Sequence, residues 1–368
     1  MTGKQIMKRT IAVAGLIAVA VAVPYVLSKT QLAEKAPEDL QEVPVKRNLS
    51  GGNIAAQVSE AMADAVEGAL PSVVVIQTGA TRVYRDWWTN RRFYREEPVG
   101  QGSGVVISED GYILTNRHVI ERASKAEVVF NDGTSYPAKY IGSNSQTDIA
   151  VLKIEPDPDK PLTVIEQGDS DAIRVGELVM AIGSPYSLSS TVTHGVVSQK
   201  GRASELLPLI DFIQTSAPIN PGNSGGALVD VEGHLIGINT YIQTADGIGG
   251  SIGLGFAVPA KIAFRMAELI IKGENSDVPY IGLVTEETPY GIMISEVIEN
   301  GPAMKAGLEP GDILAAVNGK TITSSSSLKT LVSLGKPGDE LVARVIRRRQ
   351  EAEVKILTER IPDLGSMK

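Results

Sequence analysis

The chain has 368 residues, enough for about two domains, and its 43% apolar content with 37 glycines and 20 prolines describes a turn-rich globular protein. A net charge of −8 argues against wholesale nucleic-acid binding. The absence of cysteine excludes disulfides, thiolate nucleophiles and cysteine-held metals.

Lys4, Lys8 and Arg9 precede an uncharged run, "TIAVAGLIAVAVAVPYVLS", of 19 residues at 10–28, close to the length that spans a bilayer. The positive flank favours a cytoplasmic N-terminus. A cleaved signal peptide would find a small-x-small site in "AVA" at 20–22. The apolar run continues past it through Val23, Tyr25, Val26 and Leu27, so an uncleaved anchor over residues 1–28 is the expectation. In either case the rest of the chain is exported. Residues 29–52 are polar, with Pro37, Pro44, Gly51 and Gly52, and read as a solvated linker.

Ile54, Val58, Met62 and Val66 then recur at four-residue spacing, one face of a helix ended by Gly68 and Pro71. From Ser72 the period shortens. Runs such as "SVVVIQT", "GSGVVIS", "YILTN", "DIAVLKI", "ELVMAIG", "VTHGVVSQ" and "GLGFAVP" are rich in Val and Ile and separated by turn signals. That pattern predicts an all-β barrel or sandwich. "PAKIAFRMAELIIKG" at 259–273 restores the helical period and closes a first domain at 53–273. A second unit at 277–362 holds strand-like runs, a serine-rich turn at Ser324–Ser327, a helix "LKTLVSLG" and the strands "ELVARVI" and "EAEVKIL". Its size suits a small α+β module.

Candidate chemistry centres on "NPGNSGGALVD" at 220–230. In Gly222-Asn223-Ser224 the N–H groups of the glycine and the serine can converge on one oxyanion, with Gly222 free to take the backbone shape required. A serine nucleophile needs a histidine base oriented by a carboxylate, and the chain has three histidines. His234 follows a hairpin turn and His194 lies within an alternating strand, so both read as structural. His118, in "TNRHVI", stands where the chain leaves a strand, backed by Val119 and Ile120. Asp110 and Asp132 sit in turn signals, whereas Asp148 in "TDIAVLKI" opens a strand. Gly225 and Gly226 read as room for a substrate backbone. The apolar run after Ser224 reads as a strand, which disfavours an α/β-hydrolase elbow.

"TNRHVI", "TDIAVLKI" and "NPGNSGGALVD" together resemble the three triad motifs of the HtrA family of trypsin-like serine proteases. "GSGVVIS", "VMAIGSPY", "GVVSQKGR" and "GLGFAVP" match further blocks in order, over about residues 53–360. The resemblance implies a mainly β fold: a trypsin-like double β-barrel followed by one small α+β PDZ domain, behind an N-terminal transmembrane helix. It implies His118 as general base and acid, Asp148 as its orienter, Ser224 as nucleophile, and the Gly222 and Ser224 N–H groups as oxyanion hole. "YIGL", Tyr280, Ile281, Gly282 and Leu283, resembles the PDZ loop that binds a peptide C-terminal carboxylate. Arg202, in the "QKGR" block of the family's sensor loop, is the expected link between PDZ domain and active site. One departure is Ser216, in "QTSA" where the family often reads "QTDA".

Family members with one anchor and one PDZ domain imply a homotrimer at the inner membrane with its domains in the periplasm. They also imply C-terminal peptides of misfolded outer-membrane proteins as activators and a membrane-bound anti-sigma factor as substrate. A general quality-control protease, and a PDZ-bearing binding protein with a resting protease domain, are the alternatives. No cofactor, metal or nucleic acid is expected. "GQGSG" and "DGIGGSIGLG" read as turns, since neither opens a nucleotide-binding helix. "RVYRDWWTNRRFYREE" at 82–97 reads as a flexible loop meeting a neighbouring subunit or the membrane surface, and Arg347–Arg349 as a solvated hairpin turn.

Overall fold

The protein is seen here as a computed structural model, which describes residues 53–184, 191–203, 207, 209–242 and 253–361. Two closed six-stranded antiparallel barrels dominate. The first comprises β1 (Val73–Arg85), β2 (Arg92–Val106), β3 (Tyr112–Asn116), β4 (Lys125–Val129), β5 (Ser135–Asn144) and β6 (Ile149–Lys153), in the order β1-β2-β3-β6-β5-β4. The second comprises β7 (Leu178–Gly183), β8 (Thr191–Ala203), β9 (Asp211–Thr215), β10 (Ala227–Val229), β11 (Leu235–Ile242) and β12 (Gly255–Pro259), in the order β10-β11-β12-β9-β8-β7. Closure removes the open strand edges that a sandwich would leave.

The continuous apolar runs in the sequence follow from burial on both strand faces. In β3 and β6, Ile113, Ala150 and Leu152 fill the first barrel. Their neighbours Leu114, Ile149 and Val151 point outward and join Met180, Ile182 and Ala227 of the second barrel in one shared cluster. Helix α3 (Ala260–Ile271) seals that cluster with Ile262, Met266 and Leu269.

Helix α1 (Ile54–Ala69) forms as expected, but only its C-terminal half is packed: Met62 and Val66 rest on the core, while Ile54 and Val58 are 75% and 39% exposed. Gly68 lies inside the helix, which runs on to Ala69, and Pro71 falls in a one-turn 3-10 segment, Leu70–Ser72.

The small C-terminal unit is a sheet of β14 (Leu283–Thr288), β15 (Gly291–Val297), β16 (Ile313–Val317), β18 (Glu340–Arg347) and β19 (Gln350–Leu357) in chain order, with β17 (Lys320–Thr321) on β16. A separate pair joins β13 (Pro279–Tyr280) to β20 (Glu359–Arg360). Short α4 (Pro302–Lys305) and α5 (Ser325–Ser333) complete it. The serine run is not a free turn. Ser324 caps α5 by accepting from the Ser327 N–H, and Ser327 Oγ bonds back to the Ser324 N–H, a capping box that satisfies two otherwise orphaned donors.

Arg347 is likewise no solvated turn residue. Its Nε and a terminal nitrogen each donate at 2.7 Å to the carboxylate of Asp312, which is 1% exposed. Arg348 and Arg349 occupy the turn itself, with φ of 52° and 69°. Among the described residues no helix is long and apolar enough to cross a membrane; the expected anchor at 10–28 lies outside them.

Candidate active site

The short helix α2 (Arg117–Ile120) begins as β3 leaves the barrel, and it lifts His118 to the barrel rim. The turn before β6 brings Asp148 to the same place, with a φ of +56°. Asp148 Oδ2 lies 2.6 Å from His118 Nδ1, and Asp148 Oδ1 accepts the His118 backbone N–H at 3.0 Å. A carboxylate only accepts, so Nδ1 carries the proton in the neutral ring and Nε2 is left as the base. The Asp148 carbonyl also receives the N–H of Arg117 at 2.8 Å, which ties the two strand ends together. His118 is 42% exposed and Asp148 13%, so the imidazole faces the solvent side while its orienter is mostly covered.

Ser224 sits on the 220–226 loop that enters β10. Gly222 has φ of +106° and Gly225 of +83°, conformations that favour glycine. Among the described residues neither the Gly222 N–H nor the Ser224 N–H has a hydrogen-bond partner, whereas the Asn223, Gly225 and Gly226 N–H groups are all bonded within the fold. Two adjacent unpaired donors on a glycine turn suit a developing negative charge. The Ser224 hydroxyl donates to the Thr240 carbonyl at 3.0 Å. Among the described residues no hydrogen bond joins this hydroxyl to His118.

Gly102 lies between the two halves of the site, since a Cβ there would meet Val119 at 2.6 Å and the Ser224 carbonyl at 3.2 Å. Gly225 and Gly226 differ from their sequence reading. A Cβ on either would strike backbone at 2.2 Å, the Ser103 and Ile182 carbonyls respectively, so these glycines serve close packing behind the loop.

Ser103 is the residue that motif reasoning overlooks. It is fully buried, donates from Oγ to the Gly222 carbonyl at 2.6 Å, accepts from the Ser184 N–H, and donates its own N–H to the Ser224 carbonyl at 2.8 Å. The first barrel thus sets the orientation of the Ser224 loop in the second. "GSG" is the only sequence signal for it, a serine between glycines in a buried strand. Asn223, also fully buried, has no hydrogen bond to its amide oxygen or nitrogen among the described residues.

The other histidines stay apart from this site. His194 is exposed on β8, and His234 lies about the β10–β11 turn, within 3.4 Å of Glu166, Asp230 and Glu232. No cluster of metal-ligating side chains occurs among the described residues. Ser216 uses its hydroxyl to accept the Val196 N–H at 3.0 Å, which satisfies an irregular stretch of β8. Arg202 falls on β8 with its backbone opposite Phe212; its side chain lies outside the described residues.

The "YIGL" segment spans β13 and the start of β14. The carbonyls of Ile281 and Gly282 accept from Ala303 and Ile298, and the Ile281 and Gly282 N–H groups have no backbone partner among the described residues. β14 is an edge strand, so a peptide strand has room to add beside it. Burial pushes the Tyr280 phenol above its usual range, which keeps it neutral.

Two contact sets join this unit to the barrels. On one side Lys329 of α5 pairs with the buried Asp211 of β9 at 2.8 Å, and Ser333 donates to the Leu209 carbonyl. Lys329 and Asp211 line a cleft of about 1200 Å³ between α5 and the β8–β9 hairpin. On the other side Asn144 Nδ2 donates to the Ser276 carbonyl, and Gln146 Oε1 accepts the Val278 N–H, both at 2.6 Å. The 144–148 turn that presents Asp148 therefore also holds the segment leading into Tyr280.

Comparison with known proteins gives the Trypsin-like peptidase domain over residues 102–238 and the PDZ domain over 279–358. A probable periplasmic serine endoprotease, DegP-like, of Chlamydia muridarum is 36% identical over 86% of this chain and 71% of its own. A protein of the same description from Pseudomonas putida is 35% identical over 85% and 73%. Against the one from Brucella suis, 39% identical over 73% of this chain, the match spans only 54% of the relative's length. Among solved structures, the HtrA-type protease AlgW with a tripeptide is 34% identical, with 83% of this chain and 99% of that one covered at a TM-score of 0.64. A serine endoprotease from Yersinia pestis is 35% identical over 82% and 98%, at a TM-score of 0.54.

Proposed function

The chain belongs to the HtrA family of serine proteases, and from that premise we propose that it is a peptide-regulated endopeptidase whose nucleophile is Ser224. The His118–Asp148 pair, together with a serine whose own N–H and that of Gly222 have no partner among the described residues, is the observation that carries the reading. Ser224 Oγ, turned from Thr240, attacks the scissile carbonyl while His118 Nε2 takes its proton. The carbonyl oxygen becomes an oxyanion held by the two N–H groups, and His118 returns the proton to the leaving amine. Water, activated by the same imidazole, then hydrolyses the acyl-enzyme and frees Ser224.

We assign the C-terminal unit to reception of peptide C-termini at Tyr280–Leu283, with the peptide added along β14. The solved relatives include AlgW with a decapeptide and with a tripeptide. One PDZ domain and an apolar N-terminal run liken the chain to the membrane-anchored stress-sensor protease DegS. On that likeness the enzyme is an inner-membrane homotrimer facing the periplasm. Exposed C-termini of misfolded outer-membrane proteins are its signal and a membrane-bound anti-sigma factor its substrate. Regulation passes through the β8–β9 hairpin, where Arg202 lies, and through the 144–148 turn.

The relatives' DegP-like descriptions favour a second reading, general degradation of unfolded protein. Incubation with an anti-sigma factor's periplasmic part and with an unfolded protein, each with and without a C-terminal peptide, separates the two. Peptide-dependent cleavage of the former alone supports the sensor role. Equal, peptide-independent cleavage of both would replace it with quality control. Loss of all cleavage in Ser224→Ala, with the fold retained, is expected under either.

A further inference from the structure

The hairpin of β1 and β2 is much longer than its barrel requires. β4 pairs with β1 only as far as Gly79, and β3 pairs with β2 only at Val105 and Val106. Ser124 on Thr81 and Lys125 on Glu96 tether the next rung. Beyond it the rungs from Arg82↔Arg95 to Arg85↔Arg92 pair, among the described residues, only with each other, a ribbon of about 13 Å.

Its tip is ordered by its own chemistry. Asp86 accepts the Trp88 and Thr89 N–H groups at 2.9 and 2.7 Å, and its backbone bonds to Asn90 and Arg91. The hydrogen bonds from Thr89 and Trp88 hold the Asp86 carboxyl below its usual range, so the one acid of the tip is engaged internally. Tyr84 stacks on Phe93, and Trp87 meets Trp88 edge to face.

What this turn presents is apolar and cationic. The chain's two tryptophans are both here, Trp87 at 87% and Trp88 at 79% exposed, with Tyr94 at 70%. Five arginines between 82 and 95 face the single Asp86, on a chain whose net charge is −8. Arg82 is offset by Glu97, while Arg85, Arg91, Arg92 and Arg95 are exposed and without an ion pair among the described residues.

We propose that this tip docks on an anionic lipid surface, with the indoles of Trp87 and Trp88 at headgroup depth and Arg85, Arg91 and Arg92 on lipid phosphates. Indoles prefer the membrane interface because their ring is apolar and their N–H is wet. Basic residues beside them gain from the negative surface potential. A second copy of the chain would also cover the indoles, but two such tips would bring like charges together. A preformed turn has little conformational freedom to lose on docking.

Tryptophan emission reports on this tip alone. Full-length protein is reconstituted in phosphatidylcholine bilayers and in phosphatidylcholine–phosphatidylglycerol bilayers. The expected result is a shift to shorter wavelength, and quenching by brominated lipid, only where phosphatidylglycerol is present, reversed by high salt. Arg91→Gln/Arg92→Gln should lose the shift and keep its cleavage of unfolded protein in detergent. Trp88→Phe, with one fluorophore left, should keep the shift. Identical emission in both bilayers would overturn the proposal. So would a shift that follows protein density regardless of lipid charge, which marks a second copy, or one that appears only with unfolded polypeptide.

Discussion

Ser103 shows how far the Ser224 loop depends on a buried residue of the other barrel. Its hydroxyl holds the Gly222 carbonyl at 2.6 Å and its N–H holds the Ser224 carbonyl, so the loop's peptide planes are set from the neighbouring barrel. Small displacements of reacting groups are costly in rate. Ser103→Ala should lower kcat by about 100-fold with KM little changed, and Ser103→Thr should restore part of it, as steady-state cleavage of a peptide substrate would reveal. A rise in KM with kcat unchanged would place Ser103 in substrate binding instead. Asp148→Asn should keep the ring in place yet reverse its tautomer, at a loss of about 10⁴ in kcat; a smaller effect would separate Asp148 from the imidazole's orientation.

His118, Asp148 and Ser224 stand out in the sequence because each lies at a strand end with an unusual flank. Ser103 does not, since its importance comes from contact across 119 positions of chain. Gly225 and Gly226 were legible as special but not in purpose, because the groups that forbid a side chain there belong to distant strands.

Among the elements, the strands were readable from their apolar runs, but barrel and sandwich share one period, and only the closing pairs β1–β4 and β7–β10 distinguish them. The charges that bind elements together were least visible. Arg347 looked like part of a basic turn, yet it neutralises the buried Asp312 on β16's approach. Burial works against the Asp312 charge, but the Arg347 guanidinium and the Glu309 N–H more than offset it, and the carboxyl sits below its usual range. A depressed carboxylate stabilises the fold above its unfolded pKa, and that contribution is lost as pH falls through the folded value. Arg347→Ala should therefore destabilise the C-terminal unit near neutral pH, because it leaves the Asp312 carboxylate buried and unpaired. Its thermal midpoint should also fall less steeply below about pH 4 than that of the native chain, a difference calorimetry would resolve.

Regulation of the kind proposed would have its element-scale route in the α5 contact. Lys329 covers Asp211, and Gly201, at φ of +72°, leaves no space for a Cβ beside Ser326. If this face restrains the protease, Lys329→Ala should raise cleavage without peptide and shrink the fold-stimulation by a C-terminal peptide. Unchanged basal and stimulated rates would remove the face from the mechanism.

At the scale of the molecule, the 144–148 turn and the start of β9 hold the barrels to the C-terminal unit. Among the described residues the Gly222 and Ser224 N–H groups have no hydrogen-bond partner, and the Ser224 hydroxyl donates to the Thr240 carbonyl. The central claim is tested by reacting the full-length protein with a fluorophosphonate and following the adduct by intact mass and peptide mapping. One adduct on Ser224 is predicted, formed faster with a C-terminal peptide and absent in Ser224→Ala. No adduct in either condition, or an adduct on another serine, would contradict the account.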